Sequence, residues 1–502
     1  MKLKFYLIAA MMTFVSTAFS ARNMKDSEGV YRRRTEPQQI TILDSGIASL
    51  KKRLDMIEGA KRSIEMEYFI YSIDTAGRLI TDALIRKARQ GVKIRVIVDT
   101  SLPIFELNKY YASVLKEAGI EVHYYNPAVL VRVVTVQFRS HRKTLIVDGI
   151  EGITGGRNIA DEYFDLSREY NFLDTDIVVK GSIVQDMLKS FEEFWNAELT
   201  ENAPVVTAPR PSDFPNLSDD YQNDPWALQD KDARISLSRF KGEVSRYKEG
   251  TAKAKAFTVL TPEDYKVRRH VDTLGAQLLA KETTAICNDT LFAADFPGMG
   301  EKTRVLRKQL ALEASLATKN VFIESPYFVV KKEISTILDD LIRRKVQINV
   351  VSNSLYSTDA FYTQAVFDTR IRRWTELGVN VWMHKGRINP SVYPVLPEVR
   401  GSRWGTHSKR AVIDEKTIMV GTFNMDPRST NINAEMALIC RDNPKLAKAL
   451  QENIQQHIDG AAKLNRYGLR EDGRPMHENV PLSKKVLFWM TLPLANVLDF
   501  LL

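Results

Sequence analysis

Cysteine is nearly absent from this 502-residue chain, with Cys287 and Cys440 standing alone. Two cysteines are too few for a disulfide scaffold, and no CxxC pair or Cys/His spacing suited to zinc occurs. One bridge in an oxidising compartment and two unpaired buried thiols both stay open, and neither bears on function. Long apolar runs are scarce as well. The run Phe5 to Phe19 follows Lys2 and Lys4, is short for a membrane span, and has small residues at Ala18 and Ser20. It reads as a secretory signal removed after Ser20, which predicts an exported protein that is periplasmic, peripheral to the membrane or secreted. No cysteine follows it, which weighs against a lipoprotein. An acidic excess is also lacking: 71 Lys and Arg against 62 Asp and Glu give a formal charge of +9. Such a balance suits an anionic partner, a phospholipid surface or a nucleic acid, without choosing between them. At 44% hydrophobic and 26% charged the composition is globular, and the length exceeds one ordinary core, so two domains are expected.

What is present is an internal repeat with the period of a whole domain. In the first half a helix near Leu50 to Ala60 leads to an alternating strand Ser63 to Tyr71, a helix Arg78 to Gln90 stopped by Gly91, and a strand Val92 to Asp99. The second half repeats the order with helix Leu306 to Thr318, strand Asn320 to Phe328, helix Ile334 to Arg344 and strand Val346 to Ser352. The text from Leu115 to Val122 is answered by that from Trp374 to Val381. Strands alternating with helices predict an α/β fold, a mixed sheet covered on both faces in each half.

Each half ends in the same pattern. The first reads His141, Lys143, Asp148, Gly155 and Asn158; the second reads His407, Lys409, Asp414, Gly421 and Asn424, at identical separations. One chance occurrence has odds on the order of 1 in 10,000 per chain, and two are far rarer. The other histidines, His123, His270, His384, His457 and His477, carry no such pattern and read as core or surface residues.

Strand geometry explains the spacing. Residues i and i+2 share a face, so His and Lys emerge together at the start of a strand while the apolar stretch behind them enters the core. Glycine at 155 and 421 lets the next turn approach, so that the Asn amide reaches the same point as the Lys ammonium. Two copies facing each other would surround one tetrahedral phosphate with two imidazoles, two ammonium groups and two amides, a set needing no metal or other cofactor. One neutral His attacks phosphorus while the other, protonated, donates to the leaving oxygen. Lys143, Lys409, Asn158 and Asn424 hold the non-bridging oxygens. A carboxylate behind each His would fix its tautomer, and Asp174 in the first half and Glu435 in the second are the candidates. Asp148 and Asp414 complete the six motif residues but read as structural partners rather than as acids in the reaction.

Both copies resemble the HKD motif of the phospholipase D superfamily, over nearly the whole mature chain. The resemblance implies two similar α/β halves, mixed β-sheets flanked by helices, with the active site at their pseudo-twofold interface. It also implies metal-independent transfer through a phosphohistidine whose nucleophile usually comes from the first motif. The run Gly155 to Phe164, Asp174 to Ile177, Ser325 to Phe328, Asn424 to Ser429 and the ending Phe500 to Leu502 are similar to bacterial cardiolipin synthases, the C type in particular. Such enzymes join phosphatidyl groups, the C type taking phosphatidylethanolamine as donor and phosphatidylglycerol as acceptor. Two features depart from that pattern: Thr422 stands where Ser is common, and a cleavable signal replaces a membrane anchor.

The expected organisation is a signal at 1–20, a first phospholipase D-like domain at 21–202, a linker and insertion at 203–280, a second domain at 281–480 and an apolar tail at 481–502. The linker opens with Pro204, Pro209, Pro211 and Pro215, and the basic residues of Lys241 to Arg269 read as a solvated face. The tail, interrupted by Pro493, Asn496 and Asp499 and preceded by Lys484 and Lys485, suits either a segment lying in the bilayer interface or a terminal helix docked on the protein. A run Val129 to Val136 before His141 suits either a lipid entrance or a buried strand. The expected activity is phosphatidyl transfer to phosphatidylglycerol, with a secreted phospholipase D and a periplasmic nuclease as the alternatives. Phospholipid and the membrane surface are the expected partners in preference to nucleic acid, because family nucleases of that kind are usually short with one motif per chain.

Overall fold

The computed structural model describes residues 33–101, 104–127, 137–223 and 230–494. The expected signal at 1–20, the apolar run at 129–136 and the end of the tail from 495 lie outside them.

The repeat in the sequence becomes a repeat in the sheets. Among the described residues each half carries a nine-stranded sheet with one order of strands. In the first half Ser63–Tyr68, Lys93–Asp99 and Ile120–Tyr125 run parallel, and Lys143–Val147, Glu151–Gly155, Asp176–Lys180 and Gln38–Leu43 follow antiparallel on the other side. Asn320–Glu324, Gln347–Asn353, Asn380–His384, Arg410–Ile413, Thr417–Gly421, Met436–Cys440 and Thr290–Ala294 reproduce that arrangement in the second half. The outer face of each sheet is covered by its own pair of helices, Gly46–Gly59 with Thr75–Arg89 and Leu306–Ser315 with Lys332–Arg343. The inner faces share one core with the helices Ile183–Trp195 and Pro444–Asp459 between them, and Phe191, Phe194, Leu446 and Leu450 are buried there.

The edges of the sheets are exchanged. Arg33–Arg34, near the start of the described chain, pairs with Thr290–Ala294 in the second sheet, whereas Thr284–Cys287 pairs with Gln38–Leu43 in the first. This exchange crosses the boundary expected at residue 281. Cys287 ends the strand added to the first sheet and Cys440 ends a central strand of the second. The two form a disulfide with Cα atoms 6.1 Å apart, resolving the alternative that the sequence left open.

The segment read as linker and insertion is largely helical, with Lys231–Phe257 and Pro262–His270 running on through a short π turn. Asp230 caps the first helix and a Thr261/Asp264 capping box starts the second. The long helix buries only Ala233, Ser236, Leu237, Ala254 and Phe257, so it lacks the apolar stripe by which a helix is recognised in a sequence. Phe257 meets Tyr111 edge to face at 5.5 Å, and Arg78 grips Asp264 at 2.8 Å, docking the segment on the first half.

Asp148 and Asp414 sit at the ends of their motif strands remote from the histidines, both with positive φ (54° and 51°), a conformation in which Asp is among the better tolerated side chains. Asp148 accepts from the amides of Lys61, Arg62 and Ser63, and Asp414 from those of Thr318, Lys319 and Asn320. Each carboxylate therefore clamps the loop between the covering helix and the first central strand, which assigns both to the fold and not to the reaction. Burial alone would raise the Asp414 carboxyl, but the Thr318 hydroxyl and the three amides outweigh it and hold it below the usual range. With a folded value below the unfolded one, its stabilisation is complete above about pH 4 and is lost as pH falls through the folded value. Replacement Asp414→Ala should lower the unfolding free energy by about 2–4 kcal/mol while leaving kcat of the folded protein within about twofold, checked by denaturant titration and turnover.

Candidate active site

The two motif histidines are carried to one place by main-chain bonds between the halves. His141 N donates to Ala434 O at 2.9 Å and Ala434 N to Arg139 O at 2.9 Å, forming an isolated parallel bridge at Ser140. On the other side Arg403–Thr406 pairs in parallel with Tyr170–Leu173, and His407 N donates to Leu173 O at 2.7 Å. The residues following these anchor points are Glu435 and Asp174.

The carboxylates are consequently exchanged between the halves. His141 Nδ1 lies 3.0 Å from Glu435 Oε2, and His407 Nδ1 lies 2.7 Å from Asp174 Oδ2. With Nδ1–H directed to a carboxylate, Nε2 keeps its lone pair for chemistry. Lys409 Nζ also lies 2.8 Å from His407 Nδ1. One ring nitrogen cannot donate and accept at once, so the proton goes to Asp174, the stronger acceptor, and the ammonium bonds to the His407 carbonyl. Lys143 Nζ likewise donates to the His141 carbonyl at 2.7 Å.

Glycine has a steric role at these turns. A Cβ on Gly155 would lie 2.4 Å from Thr175 O, and one on Gly421 would lie 2.2 Å from Met436 O, so any side chain would push the Asn-bearing loop away from the neighbouring strand. Asn158 Oδ1 accepts from Ile70 N at 3.2 Å, which aims its amino group elsewhere. Asn424 Oδ1 is buried without a protein partner, and a turn of the amide presents its NH2 group to an anion. Thr422 Oγ1 donates to Glu435 Oε2 at 2.6 Å and accepts from Met436 N at 2.9 Å, so the departure from Ser keeps the hydroxyl in use.

Several supporting residues escape a reading of the motifs alone. Asp99 Oδ2 accepts from Ser140 N at 2.8 Å, and Asn353 Oδ1 accepts from Thr406 N at 2.9 Å, at corresponding strand ends. Glu67 accepts from the Ser140 hydroxyl at 2.7 Å, and Glu324 from that of Thr406 at 2.6 Å. Aligning the two repeats residue by residue would have revealed both pairs, because Glu67 and Glu324 share one strand position and Ser140 and Thr406 each precede a motif histidine. Phe69 packs edge-on to His141 at 5.0 Å, and Tyr163 and Phe172 pack on His407 at 5.1 and 4.8 Å.

Burial dominates the electrostatics. It pushes the Glu435 and Asp174 carboxyls up to about 7 against the opposing lysines, and lowers the Lys143 and Lys409 ammonium groups to about 7 and about 8. Burial and both lysine charges hold His141 and His407 well below the ordinary histidine value. These shifts favour neutral imidazoles before an anion binds, the state a nucleophile needs. An anionic phosphodiester between the lysines would raise both ammonium groups and let one imidazole take the proton required of an acid.

The family described as "Cardiolipin synthase, PLD-like domain" matches residues 54–195 and 312–458, one match per half. The chain is 25% identical over 444 residues to cardiolipin synthase C of Escherichia coli K12, covering 85% of this chain and 86% of that protein. It is 26% identical over 463 residues to an uncharacterized protein of Helicobacter pylori J99, covering 87% of this chain and 84% of that one. The crystal structure of phosphatidylserine synthase from Haemophilus influenzae Rd KW20 superposes with a TM-score of 0.61 at 14% identity, over 92% of this chain and 95% of that one, and shares the fold.

Exchanging either carboxylate for its amide, Glu435→Gln or Asp174→Asn, should cut kcat by on the order of 10²–10⁴ with an unchanged circular dichroism spectrum, because the wrong tautomer is then favoured. The lysines generate a second expectation. The free enzyme loses ammonium charge above pH 7–8, so kcat/KM should fall there, whereas kcat should hold to higher pH because bound anion retains both protons.

Proposed function

This chain belongs to the cardiolipin synthase family with phospholipase D-like domains, and on that premise we propose that it transfers a phosphatidyl group to phosphatidylglycerol through a phosphohistidine. The exchanged pairs His141/Glu435 and His407/Asp174, with Lys143 and Lys409 between them, are the observation that carries this reading.

His141 Nε2 attacks phosphorus, the N–P bond forms, and the bond to the leaving oxygen breaks as protonated His407 gives that oxygen its proton. In the second half-reaction neutral His407 takes the proton of the acceptor hydroxyl, the new P–O bond forms and the N–P bond breaks. This division follows the resemblance, in which the nucleophile usually comes from the first motif. Lys143 and Lys409 neutralise the phosphoryl oxygens, Asn158 and Asn424 hydrogen-bond to them, and the aromatic rings at both imidazoles restrict water around the intermediate.

We further propose that the protein works at a membrane surface outside the cytosol, a reading supported by the signal-like run Phe5 to Phe19. Among the described residues no helix is long and apolar enough to cross a membrane. The helix Leu482–Thr491 docks through Phe488 and the bond from the Lys484 ammonium to the Thr358 carbonyl, and exposes Leu482, Val486, Leu487, Trp489 and Met490 near Lys485. Exposed apolar side chains of this kind suit a lipid interface.

Lipid product analysis tests the transfer. Mature protein in mixed micelles of phosphatidylethanolamine and phosphatidylglycerol should form cardiolipin, with or without EDTA, and His141→Ala or His407→Ala should abolish it. Phosphatidic acid as the sole product would establish hydrolysis instead, and turnover of a nucleic acid alone would overturn the lipid reading.

A further inference from the structure

The two halves differ sharply in one place, the layer between the outer face of each sheet and its covering helices. Asp148 and Asp414 grip equivalent amides at Ser63 and Asn320, and this fixes the correspondence of the preceding helices residue by residue. Counting back from it, Leu54 corresponds to Ala311 and Ile57 to Ala314; counting from the motif lysines, Leu145 corresponds to Ala411. Leu54, Ile57 and Leu145 are all fully buried in the first half. Three large core side chains have thus become alanines in the second, and the space between helices and sheet there is a cavity of about 420 Å³ lined by all three alanines.

Its wall includes one residue of the catalytic centre, Lys409. Lys409, Ala411 and Ile413 alternate onto the same sheet face and all line it, as do Gly421, Phe423 and Met425 beside Asn424. From Lys409 to Ile413 the strand advances roughly 13 Å. The walls are chiefly aliphatic, with Leu310, Ile323, Ile337, Leu341 and Met419 among them. An apolar slot this long, with a phosphate-binding lysine at one end, matches a diester whose hydrocarbon lies a few bonds from phosphorus.

We propose that this cavity receives one acyl chain of the phospholipid substrate, so that the second half acts as the chain-binding half and Ala311, Ala314 and Ala411 set how much chain it accepts. The inference rests on the proposed lipid substrate but is read out by binding, so it can fail independently of transfer. The double variant Ala311→Leu/Ala314→Ile restores the side chains that the first half uses and should fold, since the repeat already accommodates them.

Isothermal titration of the His141→Ala protein with phosphatidylglycerols of four to eight carbons per chain, below their micellar concentrations, tests it. Affinity should rise several-fold with each added pair of methylenes, and the refilled variant should lose roughly tenfold or more at eight carbons while matching the parent at four. Equal affinity for the eight-carbon lipid in both proteins overturns the proposal, as does an unrefilled protein with no chain-length dependence, a measurement that needs no cavity variant. Absence of cardiolipin with chain-length-dependent binding intact would instead reject the transfer reading and leave the chain site standing.

Discussion

Two short main-chain contacts between the halves govern the rest of the molecule. The bridge at Ser140 and Ala434 and the strand pair ending at His407 and Leu173 each bring one histidine alongside a segment of the opposite half. Because successive residues of an extended chain point to opposite sides, a slip by one position in either contact would turn Glu435 or Asp174 away from its imidazole. Each half on its own holds a histidine without its carboxylate and a carboxylate without its histidine. The pseudo-twofold axis is therefore a requirement of the chemistry as well as a trace of the repeat.

Holding so many charges out of water requires compensation nearby. Asp176 meets Arg53 and Arg157, Glu324 meets Arg410 and His457, Glu67 meets Arg142, and Asp99 meets Arg139, all buried. Removing one partner from any of these would strand the other charge in a low-dielectric interior, commonly a loss of about 3–5 kcal/mol. These pairs anchor the strand ends that present the motif residues, whereas the carboxylates of Glu435 and Asp174 pair with the histidines and face the lysines. Burial lifts both of these carboxyls to about 7.

The sequence made the repeated strands and helices legible because their periodicity is strong and occurs twice, and the five-residue motifs marked both histidines, lysines and asparagines. It also singled out Asp174 and Glu435. It did not reveal that each serves the histidine of the other half, because that depends on register between segments more than 230 residues apart. The helix Lys231–Phe257 escaped because it is largely solvent-facing and its pattern is polar all round. The supporting residues Asp99, Asn353, Glu67 and Glu324 lie on strands that read only as core, and their role emerges from hydrogen bonds to the backbone and hydroxyls beside the motifs. The exchanged edge strands are too short, at Arg33–Arg34 and Thr284–Cys287, to carry a periodic signal.

That exchange has a consequence for how the chain acquires its structure. The first sheet is not complete until residues 284–287 have been synthesised, and the second waits for a strand made at the outset, residues 33–34, to be kept available. Neither half can close its sheet as an autonomous co-translational unit. Their maturation is concerted, sealed by the cross-link from Cys287 to Cys440. A duplication that began as two equivalent modules has in this way become indivisible, and cutting the chain between the repeats would leave two fragments that each lack an edge.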